Sequence, residues 1–171
     1  ADHGAQMLMG TGVEAFEGEK TVERVRTTDG RTLECDFVVV GVGVQPRIQL
    51  AAQAGLAVDN GILVDELMLT CDPSISAIGD VAAHVSDYAQ GQRVRLESVH
   101  NAQEQAKTAA NTILGRLEPY AQVPWFWSDQ FDLKMVIVGL SAAHDEVVLR
   151  GDPASRAFSV FLLPSRRMAS S

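Results

Sequence analysis

The chain has 171 residues, of which 46% are apolar, and it carries a formal net charge of −8 at pH 7. That composition can fill the core of one domain or of two small ones. The acidic balance and the lack of a basic run with interleaved aromatics argue against a nucleic-acid partner. No apolar run approaches the ~20 residues that span a bilayer, and the first residues lack a signal-peptide pattern.

Cys35 and Cys71 are far apart and form no Cys-x-x-Cys pair, which argues against a redox disulfide and against a zinc site. Both lie in strand-like contexts, so we expect buried structural thiols in a reducing cytoplasm. The four histidines have no metal-ligand spacing, and we predict solvated or packing roles for them and no metal site. They are His3, His84, His100 and His144.

The first 43 residues predict a small, mostly antiparallel β unit that leads into a buried strand. Residues 7–13 and 21–27 have strand-like patterns, and an Asp-Gly pair at 29–30 is a hairpin signal that returns the chain through 31–35. Residues 36–41 (DFVVVG) form a continuous β-branched run, which is typical of a strand buried on both faces.

A glycine-rich turn follows at residues 41–46 (GVGVQP). It is not a Gly-x-Gly-x-x-Gly phosphate loop, because Pro46 replaces the third glycine that packs helix against strand. We therefore predict a tight turn there, then a short helix over 48–54 that ends at Gly55. An Asn-Gly hairpin signal joins the next two predicted strands, which cover 56–58 and 62–64.

The most informative stretch is 70–81 (TCDPSISAIGDV), where a short apolar run ends in Gly79 and Asp80. The run at 75–78 predicts a buried strand with Asp80 at its carboxyl end, where ligands bind in open α/β sheets. A carboxylate there can accept hydrogen bonds from sugar or ribityl hydroxyls, and Gly79 allows a close backbone approach. The alternative is a strand followed by an Asx-turn.

After a predicted surface loop at 86–92 comes the clearest helix of the chain. Ser98 is its predicted N-cap, and Gly115 stops it. Its start lies shortly after Asp80, so its dipole and free amides could face the same ligand. The apolar residues that repeat at helical spacing are Val99, Ala102, Ala106, Ala109, Ala110 and Ile113.

The remaining chain predicts a separate C-terminal domain. Residues 124–131 (PWFWSDQF) form an aromatic cluster punctuated by polar groups, and three strand-like runs follow at 133–138, 146–149 and 158–163. These runs predict one antiparallel sheet.

Three motifs together resemble a known family. The pattern Thr-x-x-Pro-x-Ile-x-Ala-x-Gly-Asp at 70–80 resembles the second flavin-binding motif of the two-dinucleotide-domain flavoprotein reductases. Residues 96–106 (LESVHNAQEQA) and 125–131 (WFWSDQF) look like the ferredoxin/rubredoxin reductase family of bacterial oxygenase systems. The resemblance covers nearly the whole chain and is weakest in 1–13.

The resemblance implies a mixed α/β fold: a fragment of the FAD/NAD(P)-binding two-dinucleotide-domain fold plus an α+β C-terminal reductase interface domain. We expect residues 1–43 to be the end of the NAD-binding domain, 44–115 the returning segment of the FAD-binding domain, and 116–171 a shortened interface domain. Family members carry two Gly-rich phosphate loops that this sequence lacks. The chain alone is therefore not expected to turn over NADH.

The resemblance implies that the full protein passes electrons from NAD(P)H through FAD to a ferredoxin or rubredoxin. Asp80 would hold the ribityl chain, Gly79 and Val81 would bring backbone close to the flavin, and the backbone of Val99 would meet its pyrimidine edge. The choice between NADH and NADPH stays open, as does a homodimer.

Two further site residues are implied with alternatives. Trp127 would pack near the isoalloxazine ring and gate access to it, or it is ordinary core. Glu97 would face the nicotinamide side, or it is a solvated charge or a helix-start carboxylate. A second class of function also stays open, a non-catalytic protein-interaction module of the apoptosis-inducing-factor kind.

Overall fold

A computed structural model of the chain describes residues 4–141 and 144–163, so the prediction for His3 lies outside the described residues. The described residues form eleven β-strands and two α-helices, a mixed α/β composition as predicted. The chain separates into two compact units, Ala1–Val44 and Gln45–Ser171. The division into three domains stays a prediction.

The first unit is a three-stranded antiparallel sheet in the order β1-β2-β3. The Asp-Gly hairpin is confirmed: the amide of Gly30 donates to the carbonyl of Thr27 at 2.9 Å. Hydrogen bonds from the Arg31 guanidinium and then the Thr27 hydroxyl hold the pKa of Asp29 well below its usual range. The strand predicted over 7–13 is wrong, because β1 begins only at its last residue. The strands are β1 (Val13–Glu17), β2 (Arg24–Thr27) and β3 (Thr32–Glu34).

Two predictions about burial in the first half of the chain are wrong. Residues 36–41 are not in a strand, and Val39 is 84% exposed. A β-branched run becomes a strand only where a neighbouring backbone pairs with it, and the described residues supply no such neighbour. Cys35 is only half-buried and Cys71 is exposed, so neither is a buried structural thiol.

The first helix of the second unit is α1 (Gln49–Gln53), and the predicted glycine stop follows it at Gly55 (φ +79°). A four-stranded sheet follows in the order β4-β5-β6-β7. The Asn-Gly hairpin between β4 and β5 is confirmed, and β5 and β6 are parallel. β6 and β7 form an antiparallel hairpin, and the loop predicted at 86–92 is the connection between these two strands, which were not themselves predicted. The strands are β4 (Val58–Asp59), β5 (Gly61–Leu63), β6 (Ala82–Ser86) and β7 (Gln92–Val94).

Helix α2 (Val99–Ile113) packs against the segment Gly79–Val81 and contributes Ala109 to the core. Both predicted ends are confirmed, since Ser98 caps it and Gly115 follows it with φ +77°. The predicted apolar face is only partly buried: Val99 and Ile113 are exposed. The buried face is instead the row Asn101, Gln105 and Ala109. The core cluster consists of Val64, Met68, Ala77, Ala82 and Ala109.

The C-terminal strands form two separate antiparallel hairpins, β8–β9 and β10–β11, where one sheet was predicted. The aromatic cluster lies mostly in β8. Among the residues described, no helix has the length and apolar character needed to cross a membrane. The strands are β8 (Trp125–Gln130), β9 (Leu133–Val138), β10 (Glu146–Asp152) and β11 (Ala157–Leu163).

Candidate functional site

The Gly-Asp motif lies in a short 3-10 turn, Gly79–Val81, that leads into β6. The buried strand predicted at 75–78 is absent, because Ser76 makes a single bridge to Leu69 and no ladder extends from it. Asp80 therefore precedes a strand and does not lie at the carboxyl end of one. Its side chain is exposed and free to meet a ligand.

The turn is attached to helix α2 by a buried hydrogen bond. The amide of Gly79 donates to Oε1 of Gln105 at 2.7 Å. Gly79 has φ +71°, a left-handed conformation that suits glycine, and an added Cβ would lie 3.5 Å from the Cβ of Ala102. Gln105 therefore holds the Gly-Asp turn against helix α2.

The start of α2 lies beside this turn. The hydroxyl of Ser98 accepts a hydrogen bond from the amide of Asn101 at 3.1 Å, which is N-cap geometry. The amides of Val99 and His100 come first in the helix, where helix geometry provides no intrahelical acceptor. This end carries the partial positive charge of the helix dipole, so it favours an anionic or electron-rich ligand edge.

A buried arginine, Arg95, connects the Gly-Asp turn to the segment that precedes helix α2. One guanidinium nitrogen of Arg95, Nη1, donates to the carbonyl of Asp80 at 2.8 Å and lies 2.6 Å from the carboxylate of Glu97. Sequence reasoning missed Arg95. The signal was the alternation of residues 93–97 (RVRLE), which indicates a strand whose charged side chains share one face.

Four of the six predicted site residues line one cavity of about 430 Å³. They are Asp80, Glu97, Val99 and Trp127. The other two, Gly79 and Val81, flank Asp80 in the turn. The predicted set omitted three further lining residues, and the aromatic cluster was the signal for one of them. These are Ser98, Ala102 and Phe126.

Trp127 reaches the cavity from strand β8 and is 40% exposed, so it is not an ordinary core residue. Its ring lies 5.0 Å from that of Trp125 at a tilt of 33°, and Trp125 meets His100 edge-on at 5.9 Å. His100 Nδ1 is buried, and the described residues give it no hydrogen-bond partner. This side of the cavity therefore offers a partly open aromatic surface.

The chemistry of the cavity fits the flavin that the sequence implies. It combines a carboxylate that accepts hydrogen bonds from hydroxyls, a helix start that favours negative charge, and an aromatic wall. Gly79 is buried and packs against Ala102 of helix α2, and the exposed residue of the turn is Asp80. Nothing in this donor set suggests a metal, and among residues 4–141 and 144–163 no group of three or more His, Cys, Asp or Glu is arranged to hold one.

Two family models match the chain. The pyridine nucleotide-disulphide oxidoreductase model matches residues 1–106, and the reductase C-terminal model matches residues 125–170. The first match alone covers more than half of the chain. The second coincides with the region that contains β8 to β11.

Curated relatives are similar along nearly the whole chain. The ferredoxin reductase subunit of 5,5'-dehydrodivanillate O-demethylase from Sphingobium sp. is 48% identical over 94% of this chain and 40% of the relative. Putidaredoxin reductase from Pseudomonas putida is 42% identical over 96% of this chain and 40% of the relative. The chain thus spans about two fifths of the length of these relatives.

Solved structures give the same result. A ferredoxin reductase from Rhodopseudomonas palustris matches with a TM-score of 0.86 and 48% identity, over 91% of this chain and 39% of that one. The covalent putidaredoxin reductase–putidaredoxin complex matches with a TM-score of 0.86 and 43% identity, over 91% of this chain and 38% of that one. The fold is therefore that of part of a ferredoxin reductase.

Proposed function

Because the chain belongs to the pyridine nucleotide-disulphide oxidoreductase family, we propose that it is part of a flavin-dependent NAD(P)H:ferredoxin reductase. The observation that carries this proposal is the cavity at which Asp80, Val99 and Trp127 meet. The names of the similar proteins, several of them ferredoxin reductases, support it.

The chemistry that FAD would supply is hydride acceptance from NAD(P)H and single-electron transfer to a one-electron carrier. The residues of this chain bind and orient FAD. Asp80 accepts hydrogen bonds from the ribityl hydroxyls, and the backbone at Gly79 and Val81 approaches the cofactor closely. Arg95 holds the carbonyl of Asp80 at 2.8 Å, so the turn keeps one orientation.

The start of α2 stabilises the electron-rich edge of the cofactor. The first amides of the helix, at Val99 and His100, point outward from the capped end, and the dipole adds partial positive charge there. A preorganised positive end stabilises negative charge without further rearrangement, which favours the reduced flavin. Ser98 holds that end in place through its bond to Asn101.

Trp127 and Glu97 line the same cavity. Trp127 would pack beside the flavin ring and limit access to it. Glu97 would face the nicotinamide side, and its ion pair with Arg95 fixes the direction of its carboxylate. NAD(P)H is the second cofactor of this assignment.

The electron acceptor we propose is a ferredoxin or a similar small iron-sulfur carrier. A similar reductase has been solved in a covalent complex with putidaredoxin, which supports this class of partner. We place the protein in the cytoplasm, and a homodimer is the assembly to test by sedimentation.

The proposal is tested by flavin retention. The full-length protein is incubated with excess FAD and desalted, and its visible absorption spectrum and intact mass are recorded on one sample. We expect the wild-type protein to retain flavin absorbance. Asp80→Ala should lower the affinity for FAD about tenfold, since hydrogen bonds to a charged acceptor are lost. Asp59→Ala, which removes an exposed carboxylate from β4, is the matched control.

Equal FAD affinity in the Asp80 and Asp59 variants would remove Asp80 from the site. A colourless, folded and self-associating wild-type protein would favour a non-catalytic interaction module over the reductase. The intact mass shows whether the sample that retains flavin is the undegraded full-length protein.

A further inference from the structure

Beside the Gly-Asp turn, three polar side chains are buried almost completely. Gln105 is 0% exposed, Asn101 is 1% exposed and His84 is 3% exposed. Polar side chains that are buried this completely destabilise the fold unless each has a hydrogen-bond partner. Gln105 and Asn101 lie one turn apart on α2, and His84 lies on β6, the strand that follows the turn.

The hydrogen bonds of Gln105 have only one consistent direction. The amide of Gly79 can only donate, so the atom of Gln105 that meets it at 2.7 Å is the carbonyl oxygen Oε1. The amide nitrogen Nε2 then points to Nδ1 of His84, at 3.2 Å. Since Nε2 can only donate, Nδ1 must accept. His84 is therefore neutral and carries its proton on Nε2.

Protonation of His84 would break this chain of bonds. A proton on Nδ1 would face the NH₂ group of Gln105, which places two donors against each other. If the Gln105 amide rotated to present its oxygen to His84, its NH₂ group would face the amide of Gly79. In either arrangement a buried donor loses its acceptor, which is unfavourable.

The surroundings of His84 favour the neutral form. Burial, followed by the charge of Arg93, lowers the pKa of His84. The ring of Tyr120 packs edge-on at 5.1 Å, and its hydroxyl donates to Asn101 at 3.0 Å. Burial, followed by the charge of Glu104, raises the pKa of Tyr120 to about 12. The charged groups that line the same 660 Å³ cavity as His84 are Asp65, Glu66, Asp87 and Arg93.

We propose that His84 and Gln105 are positioning residues for the flavin-binding turn, and that only neutral His84 lets Gln105 hold Gly79 against α2. This inference rests on the proposed flavin site. It implies that the protein retains FAD less tightly when His84 becomes protonated. His84 touches neither Asp80 nor the flavin cavity and acts through Gln105.

The sign of the pH effect follows from the lowered pKa of His84. The bond from Gln105 is intact at pH values above the titration and is lost as the pH falls through it. The dissociation constant of FAD should therefore rise about tenfold as the pH falls through the titration of His84, the loss expected for one buried hydrogen bond. Fluorescence quenching of FAD by the full-length protein measures it.

Two variants separate positioning from general stability. In His84→Asn the side-chain oxygen replaces Nδ1 as a permanent acceptor, so FAD affinity should stay near the wild-type value and lose its pH dependence. Gln105→Glu offers an acceptor to both neighbours, so a proton on Nδ1 of His84 no longer faces a donor, and the loss of FAD affinity at low pH should disappear. Gln103→Glu adds the same charge at an exposed position of α2 and should keep the wild-type profile.

A measurement without FAD keeps the two proposals distinguishable. The ¹⁵N shifts of the His84 ring give its tautomer, and hydrogen exchange at the Gly79 amide reports its bond to Gln105. A protection factor of the Gly79 amide that falls as His84 becomes protonated supports the positioning role. In a protein that binds no FAD, the same result would leave the positioning role standing and only the reductase assignment would fail. A protonated His84 at pH 8, or identical pH profiles in wild type and His84→Asn, would overturn the positioning role.

Discussion

At Gly61 the backbone passes so close to its neighbours that no side chain fits. Gly61 has φ +133°, and an added Cβ would lie 2.8 Å from the carbonyl of Val81 and 3.0 Å from Cδ of Arg95. Arg95 in turn holds the carbonyl of Asp80. A displacement at Gly61 would therefore be passed to the Gly-Asp turn through one buried side chain.

We predict that Gly61→Ala destabilises the protein more than Gly91→Ala does. Both glycines have positive φ, but the space around Gly91 is open, so that variant has only the backbone cost of about 1 kcal/mol. Gly61→Ala should lower the free energy of unfolding by roughly 1–3 kcal/mol more, because backbone atoms must move. Urea unfolding of both variants checks this, and equal losses would contradict it.

At the scale of elements, helix α2 organises the second unit. The capped start of the helix lines the cavity. Gln105, in its buried row, bonds to the Gly-Asp turn and to His84 of β6. Near the end of the helix, the hydroxyl of Thr112 donates to the carbonyl of Leu67 at 3.1 Å. Tyr120 attaches the segment after the helix by a bond to Asn101. The helix therefore holds the turn, the sheet and the following segment in one arrangement.

Loss of the N-cap should affect both stability and flavin binding. Ser98→Ala removes the acceptor of the Asn101 amide, so we expect a loss of about 1 kcal/mol in unfolding free energy, together with weaker FAD retention. Ser98→Thr keeps the hydroxyl and should restore most of both quantities. Urea unfolding and FAD titration measure them; a Thr variant as impaired as the Ala variant would mean that side-chain shape, not the cap, matters.

At the scale of the whole molecule, burial is uneven. The core cluster lies among β5, β6 and α2, whereas strands β9, β10 and β11 are exposed along their length in the described residues. Two-stranded hairpins are marginally stable in water. The residues around the Gly-Asp turn are therefore well packed, whereas the C-terminal hairpins have little buried contact to stabilise them.

This distribution predicts a graded pattern of hydrogen exchange in the 171-residue chain. Amides in the middle of α2 should be protected most, and those of β10 and β11 should exchange at least about a hundredfold faster, since their opening needs only local unfolding. Exchange detected by mass spectrometry on peptides from each element gives the comparison. Equal protection in the two regions would show that the hairpins are covered in solution.

Local signals predicted local structure well. The Asn-Gly and Asp-Gly hairpins, the Ser98 cap and the Gly115 stop are all present, because each depends on residues next to each other in sequence. The strands predicted at 36–41 and 75–78 are absent, because a strand requires a partner that an apolar run does not specify. The site was predicted through its motif residues. The roles of Arg95 and Gln105 were missed, because hydropathy patterns do not identify buried polar residues.

The bond from Arg95 has a mechanical consequence for the cavity. One guanidinium bridges the carbonyl of Asp80 and the carboxylate of Glu97, so these two residues of the cavity lining are held together. Phe126 and Trp127, which line the same cavity, belong to a two-stranded hairpin. Because isolated two-stranded hairpins are marginally stable in water, we expect a ligand that needs a wider cavity to displace these aromatic residues more readily than the residues that Arg95 holds.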